Sequence, residues 1–299
     1  VEVQLSARSA ATLVYRLCAP KLSPVAKAAH RHERALERVF LTAIREAQDA
    51  VPMSALELTL NIPGTGAPLY VLQPVFDMML EKTELREYAP YMRIAAERKT
   101  VAKVLQQTLA AGARVHAITG MKFDAANPAA IAWAEEHAAE LIADVTVNAQ
   151  AAIRQVVVAG FENGVAPADT AKLIRASIGL TERDAVAVMN YQLKLINDGV
   201  VGATAKAEKY AAKLTKSRAQ TIARTETMRA ANEGQQQLWE QAREAGLLDR
   251  TAKKVWIVAD PCPICAGMSG ETVRIDQTFS IGGDPPAHPN CRCTVGLVA

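Results

Sequence analysis

The stretch Ala138-Ala139-Glu140-Leu141-Ile142-Ala143-Asp144-Val145-Thr146-Val147-Asn148-Ala149-Gln150-Ala151-Ala152-Ile153-Arg154-Gln155-Val156 decides the fold class. Ala138, Leu141, Ile142, Val145, Ala149, Ala152, Ile153 and Val156 recur at three- and four-residue spacing, which holds one helical face for about five turns. Asn127-Pro128 opens this helix, and Gly160 and Gly164 are expected to end it. Across the 299 residues half are apolar and 22% charged, which excludes wholesale disorder. Aromatic residues make up only 5%, and alanine takes their place. That favours closely packed helices over a β-sandwich.

Outward from this stretch the pattern repeats. Leu36, Val39, Phe40, Ala43, Ile44 and Ala47 predict a helix over 31–50. Residues 51–75, broken by Pro52, Pro63, Gly64 and Pro68, read as a loop with one short hairpin. The charge-free run from Leu58 to Phe76 contains Pro63, Gly64, Gly66, Pro68 and Pro74, so it is no membrane-spanning helix. Helical character returns from Phe76 to Ile118, interrupted at Pro90. A short helix follows from Pro167 to Ile178. Thr181 to Asp184 resembles a capping box ahead of a stripe of Val186, Met189, Leu193 and Ile196. A long helix covers 205–245, with Gly246 just past its end. Residues 255–258, 272–275 and 294–298 are short strand-like runs. The expected fold is mainly α: an Ala-rich helical body with a small C-terminal Cys/His-pinned β module. Its expected division is a helical N-terminal region 1–120, a helical core 121–250 and the β module 251–299.

Charge is nearly balanced, with a net +3. The excess lies in residues 1–50, where eight basic residues, among them Arg31, Arg34 and Arg38, face five acidic ones. Those three arginines are candidates for contact with nucleic acid or an acidic protein face, although a solvated amphipathic helix explains them as well. No basic–apolar leader opens the sequence, and an initiator or short N-terminal piece is expected before Val1.

Four of five cysteines fall in the last 38 residues, as Cys262-Pro-Ile-Cys265 and then His288-Pro-Asn-Cys291-Arg-Cys293. Cys18 stands alone and reads as a small buried apolar residue. A C-x-x-C turn aims two thiolates at one point, and a second pair of soft ligands completes a tetrahedral zinc shell. Five candidates compete for four positions. The second pair can be His288 with Cys291, His288 with Cys293, or Cys291 with Cys293. Without a secretory signal, structural disulfides are not expected. Protein can fill every position, so a structural zinc site is expected over a catalytic one. A base deaminase needs H-x-E, which is absent. A DNA-reading finger needs about twelve residues between its ligand pairs, whereas 22 rich in Gly and Pro separate Cys265 from His288.

Arg224-Thr225-Glu226 sits in mid-helix, Trp256 starts a strand, and the Cys/His motifs follow in order. On spacing alone, with Arg218, Ile222 and Glu226 at four-residue steps, this stretch reads as a solvent-facing helix with ordinary charge pairs. With Pro285-Pro286-Ala-His288-Pro-Asn-Cys291-Arg-Cys293, however, this succession resembles the phage head morphogenesis family, the minor head proteins related to protein F of phage Mu. The resemblance covers residues 125–293 and implies a low-copy virion protein, made in the host cytoplasm and needed for head assembly. It implies portal protein, major capsid protein or scaffold as partners and no catalytic residues, while packaged DNA as a further contact rests on the basic excess in residues 1–50 and no membrane partner is expected. Arg224, Thr225, Glu226 and Trp256 enter as structural or interaction determinants. The rival expectation is a metal-dependent nuclease or injected toxin that uses the C-terminal Cys/His cluster. A pair of carboxylates beside an open metal position would mark it.

Overall fold

Alanine-rich stripes bury themselves best against other helices, and helices dominate. The computed structural model describes residues 22–51, 53–60, 94–116, 118, 121, 123–124, 127–259 and 262–298. Among them the helices are α1 Pro24–Asp49, α2 Met53–Leu60, α3 Arg98–Ala113, α4 Pro128–Glu162, α5 Pro167–Ser177, α6 Glu182–Asn197 and α7 Ala203–Glu244. Strand β1 Lys253–Ile257, the one-turn helix α8 Pro263–Ala266, strand β2 Thr272–Arg274 and strand β3 Thr294–Val298 complete the order. This is the mainly α architecture with a small C-terminal β module. The expectations for Cys18, for residues 61–75 and for the start of the helix from Phe76 lie outside the described residues. Two compact units emerge: one gathers the described residues of 1–36, 102–134 and 221–299, the other those of 37–101 and 135–220.

In the second unit, all eight stripe positions of α4 are buried. The helix runs past Gly160, which packs inside it: a Cβ there would stand 2.8 Å from the Thr170 side chain. Gly164, with φ of +62°, follows the end of α4 at Glu162. By length and composition α4 could cross a membrane. Its apolar stripe instead lies inside the protein, and Glu136, Glu140, Asp144 and Arg154 are exposed. Residues 53–60 are a helix, not the expected loop or hairpin. Past Pro52 the run Met53-Ser-Ala-Leu56-Glu-Leu58 is made mostly of good helix formers, Leu56 and Leu60 are buried one turn apart, and α2 packs on α5. The predicted stripe of α6 is also corrected. Val186 and Ile196 are exposed, and the buried face is Ala185, Val188, Met189 and Gln192. Gln192 enters the core because its Nε2 donates to Thr204 Oγ1 at 3.0 Å. The Thr181 cap forms as predicted, its Oγ1 accepting from Asp184 N at 3.2 Å.

In the first unit, the C-terminal half of α7 buries Ala223, Met228, Ala231, Leu238, Trp239 and Ala242. It crosses α3 at backbone contact. A Cβ on Gly234 would collide with Leu109 O, one on Gly112 with Ala231 O, and Gln235 Nε2 donates to Gly112 O. The sheet is antiparallel in the order β2-β1-β3, with Lys254 opposite both Val273 and Leu297 and Trp256 opposite Val295. Trp256 is fully buried beside Trp239, its ring edge-on to Phe279 at 5.1 Å. Asn232 fastens α7 to this module. Its Nδ2 donates to Pro285 O at 3.0 Å and Cys293 O at 3.2 Å, and its Oδ1 accepts from Val295 N at 3.2 Å. Lys254 is buried too, with Nζ 2.8 Å from Asp284 Oδ2 and 3.3 Å from Gln236 Oε1.

Candidate metal centre

Cys262 is the N-cap of α8. Its Sγ accepts from Cys265 N at 3.2 Å, and Pro263 starts the helix where a missing N–H does no harm. This short turn brings both thiols to one side. The second arm is the turn His288–Cys291, closed by Cys291 N donating to His288 O at 3.1 Å, with Asn290 left-handed at φ +63°.

Together the two arms place all five candidates in two overlapping triads: Cys262, Cys265 and His288, and Cys265, Cys291 and Cys293. Within each triad the ligand atoms lie within 4.8 Å of one another. His288 Nε2 stands 3.1 Å from Cys262 Sγ and 3.3 Å from Cys265 Sγ, and the Cys265 and Cys291 sulfurs are 3.7 Å apart. Around a tetrahedral zinc, bond lengths of about 2.3 Å to sulfur and 2.0 Å to nitrogen give edges of about 3.8 Å between sulfurs and about 3.5 Å from sulfur to nitrogen. These separations suit part of such a shell in each triad, with Cys265 common to both, and among the described residues no four of the five ligand atoms lie within 4.8 Å of one another. His288 is also turned correctly, since Nδ1 faces Pro289 O at 2.8 Å and, by donating there, leaves the Nε2 lone pair for the cluster.

Burial and hydrogen bonding within the cluster set its groups apart from one another. Burial and the hydrogen bond with Cys262 push the Cys265 thiol up to about 12. Cys293 is also pushed up, first by donating its hydrogen bond to Cys291 and then by burial. That hydrogen bond pulls Cys291 down to about 5 against its own burial. Burial raises Cys262, but N–H groups of Cys265 and Ile264 and the Cys265 thiol outweigh it, and the net shift is downward. His288 is raised, first by its bond to the Pro289 carbonyl. No carboxylate belongs to either triad among the described residues. Glu271 accepts from Ser280 N at 2.7 Å, Asp276 pairs with Arg274, and Asp284 pairs with Lys254.

The Arg-Thr-Glu helix meets this site. Asn290 N donates to Thr225 Oγ1 at 3.0 Å, Asn290 Nδ2 to Thr221 Oγ1 at 3.2 Å, and an Arg224 guanidinium N–H to Asn290 Oδ1 at 3.1 Å. Thr225 and Glu226 are buried and Arg224 is half-buried, so this stretch is not the solvent-facing helix its spacing suggested. Arg224 Nε donates to Glu33 Oε1 at 2.9 Å, His30 Nδ1 lies 2.6 Å from Glu33 Oε2, and Arg292 approaches that oxygen at 3.9 Å. Glu226 pairs instead with Arg229 at 3.3 Å. Sequence reasoning missed Glu33, yet a signal existed: Glu33 continues the buried stripe of Ala29, Leu36 and Phe40. The three basic candidates, Arg31, Arg34 and Arg38, are exposed on α1 and remote from the cysteines in sequence.

A helical body carrying a small antiparallel sheet with a Cys/His cluster defines the class. Within it, residues 151–296 match the family described as Phage Mu protein F like protein, which bears out the resemblance read from the Arg-Thr-Glu and Cys/His motifs. The matched region includes both motifs. No curated protein and no solved structure matches the chain.

Proposed function

We propose that this chain is a structural minor head protein of a tailed phage, acting by binding other head components during procapsid assembly. The observation that carries this is the Phage Mu protein F-like region, 151–296, whose two motif segments are joined by the Thr225–Asn290 contact. Portal protein, major capsid protein or scaffold are the partners that fit such a role, and the virion is its destination. Assembly itself would take place in the host cytoplasm.

Zinc is the metal the donor set favours, because three thiolates and an imidazole suit a soft, tetrahedral, structural ion. Cys262, Cys265, His288 and Cys291 are its proposed ligands. Cys291 stands at an edge distance of 3.7 Å from Cys265, and Cys293, within 4.8 Å of both, is the competing thiol. When bound, the ion would cross-link the α8 turn to the His288–Cys291 turn and stabilise the small β module. Arg31, Arg34 and Arg38, with Lys27, are exposed at three- and four-residue steps along α1. They would face packaged DNA or an acidic inner surface.

Reconstruction of procapsids carrying a tagged chain tests the proposal. Density beside the portal inside the shell supports it, and purified heads lacking the chain overturn it. Assays of zinc content and DNA cleavage on the purified protein separate the structural role from a nuclease or toxin: bound zinc without cleavage is the expected result. Binding of DNA that falls steeply with salt, and is lost when Arg31, Arg34 and Arg38 are replaced by Gln, would support the DNA contact. Absence of binding at low salt would remove it.

A further inference from the structure

Asn290 sits between two proposed metal ligands, one residue before Cys291 and two after His288. Its backbone is left-handed, a conformation that residues other than glycine hold only with support. The support comes from one face of α7. Thr225 Oγ1 takes its N–H, while Thr221 and Arg224 take its side-chain amide at both ends. These holders are themselves fixed. Thr225 Oγ1 donates to Thr221 O at 2.8 Å, which leaves its lone pairs for Asn290 N–H. Arg224 cannot swing away easily, because its Nε is bonded at 2.9 Å to the buried Glu33 carboxylate.

We infer that Arg224 and Thr225, backed by Glu33, are positioning residues for the metal centre: they hold the His288–Cys291 turn in its ligating shape without touching the ion. This rests on the proposal that the cluster binds metal. The physical ground is preorganisation. If the turn were free, an incoming ion would have to order it, and that ordering would be subtracted from its affinity. Partners behind metal ligands are worth about 10–100-fold in affinity when removed. The Arg-Thr-Glu segment would then owe its place beside the Cys/His motif to the metal site.

The test uses the full chain and four variants: N290G, T225V, T225S and E33Q. Glycine adopts the left-handed turn at no steric penalty and keeps the N–H to Thr225, so N290G removes only the side-chain clamps on an exposed residue. Zinc affinity is measured by chelator competition, and the ligand field by the visible spectrum of the cobalt(II)-loaded protein. Unfolding midpoints are recorded with and without metal. N290G and T225V should each bind zinc about 10–100-fold more weakly with an altered cobalt spectrum, E33Q should shift in the same direction, and T225S should restore wild-type affinity. A merely structural role predicts a lower midpoint for the metal-free variants with zinc affinity and cobalt spectrum unchanged. That result overturns the inference while leaving the metal site standing. If the wild-type chain binds no metal, the metal site and the inference fail together. Should T225V not fold, N290G alone decides.

Discussion

Replacing Glu33 by Gln probes the least expected contact in the molecule. Glu33 is buried and accepts hydrogen bonds from Arg224 at 2.9 Å and His30 at 2.6 Å, with Arg292 at 3.9 Å. Glutamine keeps the shape and removes the charge. A hydrogen bond to a charged group contributes about 1.5–3 kcal/mol. Arg224 retains a third of its side-chain exposure and His30 half, so both can rehydrate. The combined loss is therefore set near the lower end, about 2 kcal/mol. Urea unfolding followed through the buried Trp239 and Trp256 reports on this core, and the midpoint should fall by about 1 M. The difference also depends on pH. Burial alone would raise the Glu33 carboxyl, but the hydrogen bonds from His30 and Arg224 and the charges of Arg224 and Arg292 outweigh it and hold the pKa below its ordinary value. A depressed carboxylate stabilises the fold above its unfolded pKa, about 4.3, and the contribution disappears as pH falls through the folded value. The gap between wild type and E33Q should thus be full at pH 7 and close in acid. An E33Q protein as stable as wild type at pH 7, or a gap that widens in acid, would refute the reasoning.

Gly234→Ala places a methyl group against Leu109 O, which is backbone and cannot yield. The loss should exceed about 3 kcal/mol, readable as rapid limited proteolysis, whereas the same change at the open Gly267 should be tolerated. Asn232→Leu strips the hydrogen bonds from Val295 N, Pro285 O and Cys293 O in a buried site. A penalty of about 3 kcal/mol and accelerated hydrogen exchange at Val295 are expected, and unchanged exchange would show that the contact is dispensable. Among the cysteines, C291S should weaken zinc binding more than about 100-fold, and C293S less than about 10-fold. Reversal of that order in a competition titration would exchange their roles.

The cluster was legible because Cys-x-x-Cys and His-x-x-Cys are local spacings that survive without a structure. So was α4, whose stripe holds its period over many turns. Several misses share one cause: a polar residue enters a core when a partner elsewhere in the chain satisfies it. Glu33 and Arg224 are 191 residues apart. Nothing local marks Glu33 except its place in an apolar stripe. Gln192 rotated the buried face of α6 because Thr204 receives its amide, so Val186 and Ile196 lost the burial their hydrophobicity suggested. Asn232 and Lys254 belong to the same kind. Gly160 was misread as a stop because its lack of a side chain serves packing against Thr170, not a turn.

X-ray absorption at the zinc edge of the purified full-length chain tests the central claim most directly. The account predicts a single zinc per chain bound by three sulfurs and one nitrogen, at about 2.3 and 2.0 Å. Purified protein without stoichiometric metal, or an oxygen ligand in place of a sulfur, would contradict it.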